Sequence, residues 1–242
     1  MESFPGIFPL EKPVIMYSSK ELESMFLRWK STEVAWKKDD AALIRQRDIT
    51  IEDDYACSHL VPGGRWLLVV LENGQVCYYD LDSSAMERKH LIDAQIEEND
   101  FAGVKMSVDM SNPVPISSFK LALHVSEYRA NKPGAFQVIK IWGIDFVIEG
   151  QDVIGLKATR LKSLCMHQDT FHHIRVISLL GRDIAFSVSC AGNSLDYTFV
   201  VTWPDIKDES LDYPRKLLDP IGVGVVSLLS ESKNNIKLNK TN

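Results

Sequence analysis

The stretch Leu60–Asp82 constrains this chain more than any other, because it joins a continuous apolar run, Leu67 to Leu71, to turn chemistry at both ends. Pro62-Gly63-Gly64 punctuates the chain before the run and Asn73-Gly74 after it, and Gln75 to Leu81 then reads as a second strand. An Asn-Gly pair between two strand-length runs favours a β-hairpin with a two-residue type I′ turn, in which both loop residues take φ > 0. The run does not alternate, so both faces of the first strand require a covering layer. Trp66, at its start, is therefore expected to be buried.

A propeller blade supplies such surroundings, and the exit Tyr79-Asp80-Leu81-Asp82 resembles the end of the third strand of a WD-type repeat. Pro62-Gly63-Gly64-Arg65-Trp66-Leu67-Leu68-Val69, followed by Asn73-Gly74 and Tyr79-Asp80-Leu81-Asp82, resemble the first blade of the region that follows the F-box in a large family of basidiomycete fungal F-box proteins. Upstream, Ser18 to Glu23 and Arg28-Trp29 through Trp36 are similar to the helix that precedes that blade. The F-box itself, which begins near a Leu-Pro-x-Glu sequence, has no counterpart in Phe4-Pro5-Gly6-Ile7-Phe8-Pro9-Leu10. The resemblance implies a substrate-recognising or assembly surface of a cullin-type ubiquitin ligase subunit. Without an F-box, binding of the Skp-type adaptor by this chain alone is not expected.

In order along the chain, residues 1–17 form a proline-interrupted, extended lead-in. Ser18 and Glu21 make a capping box that opens an amphipathic helix over 18–40, with Leu22, Met25, Phe26, Trp29 and Trp36 on the face expected to pack against the protein's own sheet. Residues 55–230 read as a β domain. Phe101–Asp109, Phe119–Tyr128 and Phe136–Ile144 form a second meander, and Leu156–Leu164 is expected to open a third, continued by Ile174–Leu180, Ile184–Ser189 and Tyr197–Trp203. Tyr79, Trp142 and Trp203, each expected where a strand leaves for a turn, are the internal sign of a repeat. Residues 231–242 are polar and expected to be disordered. The fold expected is all-β with an N-terminal helix. At about 40–45 residues per blade it is a partial WD-type β-propeller of about three to four blades, not closed, and its bare edges favour self-association.

Composition narrows the function classes. The formal charge of −6 and the pI near 5.5, without a Lys/Arg block, argue against a nucleic-acid partner. No uninterrupted apolar run of about 18 residues exists and Met1 to Pro5 opens no signal core, so the expectation is a cytoplasmic or nuclear chain without a membrane partner. Cys57, Cys77, Cys165 and Cys190 lie far apart without Cys-x-x-Cys spacing, which reads as reduced thiols rather than zinc ligands. His167, Asp169 and His172 form the one cluster of metal-ligand residue types, yet no second ligand pair accompanies them, and a loop between strands is the simpler reading. Ser187-Val188-Ser189-Cys190-Ala191-Gly192 lacks a nucleophile elbow, and Gly222-Val223-Gly224 lacks the Lys-Ser/Thr of a phosphate loop. No catalytic residue and no cofactor are expected. The leading reading is a non-catalytic protein-interaction module with protein partners of unknown identity. The alternatives are a truncated gene product without independent activity, or a metal-dependent enzyme built on His167, Asp169 and His172.

Overall fold

The computed structural model describes residues 10–36, 49–51, 53–96, 101–110, 117–128, 135–166, 173–189, 196–210, 213–219 and 222–227. The helix α1 (Ser19–Trp36) starts where the capping box places it. The Ser18 hydroxyl oxygen accepts the Glu21 N–H at 3.2 Å, and the Glu21 carboxylate accepts the Ser18 N–H at 2.7 Å. Leu22, Met25 and Trp29 form a narrow half-buried stripe, but Phe26 is 55% and Leu27 58% exposed. The expected apolar face is thus only partly covered, because Phe26 falls beside the stripe rather than within it. The expected end of the helix, Lys37 to Asp40, lies outside the described residues, as does the side chain of Trp36. The lead-in is anchored by Lys12, whose ammonium donates to the Gln151 carbonyl at 2.7 Å and meets Glu21 at 3.3 Å.

The rest of the described chain is mostly strand, in three antiparallel sheets. The first holds β1 (Tyr55–Leu60), β2 (Trp66–Leu71), β3 (Val76–Asp80) and β4 (Lys89–Ile92). In the second are β5 (Phe101–Asp109), β6 (Ser118–Tyr128), β7 (Ala135–Glu149) and β8 (Asp152–Met166). The third contains β9 (His173–Leu180), β10 (Asp183–Ser189), β11 (Asp196–Thr202), β12 (Lys216–Asp219) and β13 (Gly222–Ser227). Each sheet is a meander in chain order, and none closes on itself.

The second sheet lies between the other two, and β6 divides its residues between two cores by the period of two that a pleated strand imposes. Leu121, Leu123 and Val125 pack with Trp66, Leu68 and Val70 of β2. Ala122, with Ile139 and Ile141 of β7, packs against Phe186, Phe199 and Val201 of the third sheet. The far face of β2 carries Val69 and Leu71, which meet Tyr79 and are covered by Ile49 and Ile51. Both faces of the apolar run are therefore covered, and Trp66 is fully buried. The opening strands follow one another across the layers: β5 lies beside β1 on one side and β9 on the other. Side chains of β5 cap backbone of the third sheet, with the Ser107 hydroxyl accepting the Leu179 N–H at 2.9 Å and Asp109 accepting the Gly181 N–H at 2.8 Å.

Three local expectations are corrected. The loop of the first hairpin is not a two-residue type I′ turn. Leu71 and Gln75 close a three-residue loop, in which the Leu71 carbonyl accepts the Gly74 N–H and the Leu71 N–H reaches the Gln75 carbonyl, both at 2.9 Å. Only Gly74 takes positive φ, at 78°, while Asn73 keeps φ < 0 and accepts the Gln75 N–H on Oδ1. This is a β-turn followed by a left-handed glycine, whose extra residue sets a bulge. Second, Leu156–Leu164 opens no third unit. Gly150, at φ 61°, turns the chain between Glu149 and Asp152 and sends β8 back along β7, so this segment is the last strand of the second sheet. Third, Trp142 lies inside β7 and leaves no strand, unlike Tyr79 near the end of β3 and Trp203 just past β11.

Candidate functional site

The residues of the hairpin motif build a structural corner. Val61 accepts the Gly64 N–H across Pro62 and Gly63, with Gly63 at φ 106°, so Pro62 and Gly63 occupy the positions that a type II turn reserves for proline and glycine. The turn delivers Arg65 to Asp80, whose carboxylate it grips with two bonds of 3.0 and 2.9 Å. Its guanidinium also donates to the Val153 carbonyl of β8 at 2.7 Å, meets Glu11 at 3.2 Å and stacks over the Trp66 ring. One side chain thus joins the lead-in, the first sheet and the second sheet. Burial pushes the Asp80 carboxyl up, but Arg65 outweighs it and holds the pKa below the usual value. At Glu11 burial wins over Arg65, and the pKa is raised.

His167, Asp169 and His172 lie outside the described residues, and so does Cys190. Among the described residues no group of three or more His, Cys, Asp or Glu could hold a metal, and Cys57, Cys77 and Cys165 are unbridged.

A cleft of about 260 Å³ opens on the face of the second sheet, lined by Gln95, Val125, Val138, Lys140, Arg160, Ser163, Cys165 and Glu209. Strand pairing places Lys140 directly opposite Ser163 and, two residues along the same face, Val138 opposite Cys165. The Lys140 ammonium donates to Gln95 Oε1 at 2.6 Å. Gln95 is itself held by the first hairpin, since its N–H reaches the Asn73 carbonyl at 2.9 Å. Across the cleft, Asp208 and Glu209 cover the edge of β8: Asp208 accepts the Ser163 N–H at 2.7 Å, and the Glu209 N–H reaches the Ser163 carbonyl at 2.9 Å. Glu209 takes φ 58°, a left-handed conformation that costs a non-glycine residue about 1–2 kcal/mol. Such strain persists only where surrounding bonds fix it, and it concentrates at functional positions.

Electrostatically the cleft is mixed. Burial, helped by the nearby Arg160 charge, lowers the pKa of Lys140. The Cys165 thiol is pushed up, mainly by burial and then by Glu209 and Asp208, so it is not an activated thiolate. Sequence reading passed over this site because its residues come from separate elements. The available signal was Lys140 itself, a cation between apolar neighbours in Val138-Ile139-Lys140-Ile141.

No family model and no curated protein matches this chain. A solved structure described as the complex of the fission yeast SREBP-SCAP binding domains is similar at 14% identity and a TM-score of 0.34, over 78% of this chain and 52% of that one. This chain therefore spans about half the length of that protein. Among the described residues no helix is long and apolar enough to cross a membrane.

Proposed function

We propose that this chain is a non-catalytic protein-interaction module, an open arc of WD-type propeller blades of the kind that follows the F-box in basidiomycete F-box proteins. The observation that supports it is the succession of β1, β5 and β9. Each opens a sheet that then runs as a meander in chain order, and β5 lies beside both of the others. Blades that share an inner rim produce this order, whereas the two sheets of a sandwich exchange strands by Greek-key connections. An open arc leaves loops and sheet faces available to other chains, and recognition on such a scaffold resides in those surfaces. In this reading the partner is a protein, and neither a cofactor nor a metal takes part.

Affinity capture with the purified chain, followed by quantitative mass spectrometry, tests the proposal. The expected result is saturable enrichment of a small set of proteins that survives chelation of divalent metals. Enrichment lost on chelation, or none above a scrambled-surface control, overturns it.

A further inference from the structure

Two cations, Lys140 and Arg160, line the cleft, and neither has a carboxylate within hydrogen-bond range among the bonds described for it. An ammonium has three N–H donors, and Lys140 spends one on a neutral amide oxygen, Gln95 Oε1. The carboxylates nearest Arg160, on Asp208 and Glu209, stand at 3.7 and 3.8 Å, beyond hydrogen-bond range. Glu209 is fixed through its backbone while its side chain stays 63% exposed. Resting on the reading of the chain as an interaction module, we propose that this cleft binds a carboxylate of an extended peptide segment, either its C-terminal carboxylate or an Asp or Glu side chain, with Lys140 and Arg160 as donors.

Size and charge select this ligand. At about 260 Å³ the cleft falls below the usual range for small-molecule pockets, about 300–1,000 Å³, and suits the end of a chain or one side chain. Of the charged residues that line the cleft, Lys140 and Arg160 outnumber Glu209 by one, so a single negative charge is accommodated where a dianionic phosphate meets repulsion. Val125 and Val138 provide an apolar wall for the adjoining carbon atoms. A bound carboxylate also offsets, by direct charge pairing, the burial that now disfavours the charged form of the half-buried Lys140.

The test is fluorescence anisotropy of the full chain with four pools of labelled pentapeptides. One pool carries a free C-terminal carboxylate and no acidic residue, one is amidated and neutral, one is amidated with a single Asp, and one is amidated with a single phosphoserine. The proposal expects at least one carboxylate pool to bind about tenfold or more tightly than the neutral pool, and Lys140→Gln to remove about that factor. The terminal and Asp pools identify the source of the carboxylate. Equal binding of acidic and neutral pools, no binding, or tightest binding of phosphoserine overturns it. If Lys140→Gln fails to fold, the half-exposed Arg160→Gln gives the same reading, and wild-type affinity in that variant overturns the proposal. Capture of partners undiminished in both variants sinks the cleft while leaving the interaction module standing; absence of partners for the wild-type chain sinks the broader reading.

Discussion

Arg65 and Asp80 meet fork to fork across the base of the first hairpin, Nε 3.0 Å from Oδ1 and Nη2 2.9 Å from Oδ2. Both side chains are largely buried, so removing Arg65 leaves the Asp80 charge without its partner, and removing Asp80 leaves Arg65 with Glu11 as its charged partner and half of its fork unmatched. Asp80→Ala should lower stability by about 2–4 kcal/mol, and Arg65→Lys by a substantial part of that, since lysine cannot reproduce the planar fork. Urea denaturation measures both. A loss under about 1 kcal/mol for Asp80→Ala would mean that Glu11 and the Val153 carbonyl satisfy Arg65 by themselves.

The same cluster sets a pH dependence with two opposing limbs. The depressed pKa of Asp80 contributes stability that is present above its unfolded value, about 3.9, and is lost as pH falls through the folded value. The raised pKa of Glu11 works the other way. Its contribution is present below about 4.3 and is lost as pH rises through the folded value. Glu11→Gln should therefore be neutral or stabilising at pH 7, by up to about 1 kcal/mol, and should steepen the loss of stability on acidification. Asp80→Asn should flatten it. A Glu11→Gln variant clearly less stable than wild type at pH 7 would contradict the assignment of burial as the dominant effect at Glu11.

Gly74 links the hairpin to the cleft. Its φ of 78° disfavours any side chain, and a Cβ there would stand 2.9 Å from the Cβ of Gln95, the residue that accepts from Lys140. Gly74→Val should cost about 1–3 kcal/mol in thermal unfolding. Asn73→Ala, which removes only a side-chain acceptor at a residue with ordinary φ, should cost under about 1 kcal/mol. Equal losses at the two positions would restore the type I′ turn.

Tyr78 and Gly155 form a lock between the first and second sheets. The Tyr78 hydroxyl accepts the Leu156 N–H at 3.2 Å and lies 2.7 Å from where a Cβ on residue 155 would stand. Gly155→Ala should cost about 1–3 kcal/mol through overpacking. In a Tyr78→Phe background the nearest ring atom, Cζ, lies 3.8 Å away, so most of that cost should vanish. A double-mutant cycle by denaturant unfolding checks this; additive losses would exclude the contact as the cause.

What could be read from the sequence was whatever neighbours along the chain decide. The capping box of Ser18 and Glu21, the burial of both faces of Leu67 to Leu71 and most strand positions follow from local pattern. The number of residues in the Asn73-Gly74 loop did not, because Glu72 is equally acceptable as the end of a strand and as a turn residue. The sheet to which Leu156–Leu164 belongs depended on Gly150, one glycine among polar neighbours. The Arg65 cluster and the cleft were hidden for another reason. Arg65 meets residues 54 positions before it and 88 after it, and Lys140 meets one 45 positions away. No spacing rule spans such separations.

The two ends of the stack differ, and this difference predicts how the chain associates. The outer face of the first sheet is covered by Ile49 and Ile51 over Val69 and Leu71. On the third sheet, register places Val176, Ser187, Thr198 and Leu218 in one row of the outer face, with Ser178, Ala185, Val200 and Lys216 in the next. Val176 is 60% exposed, and Leu180, farther along the same face, 68%. Val176, Leu180 and Leu218 are thus left without the cover that Ile49 and Ile51 give the first sheet, and exposed apolar groups on one face favour association. Concentration-dependent self-association through the third sheet is the expected behaviour. Light scattering should show a mass that rises with concentration, and Val176→Lys with Leu180→Lys should return it to the monomer while changing stability by no more than about 1 kcal/mol. A wild-type chain that stays monomeric at high concentration would refute the association, and a double variant that associates equally well would move the contact away from this face.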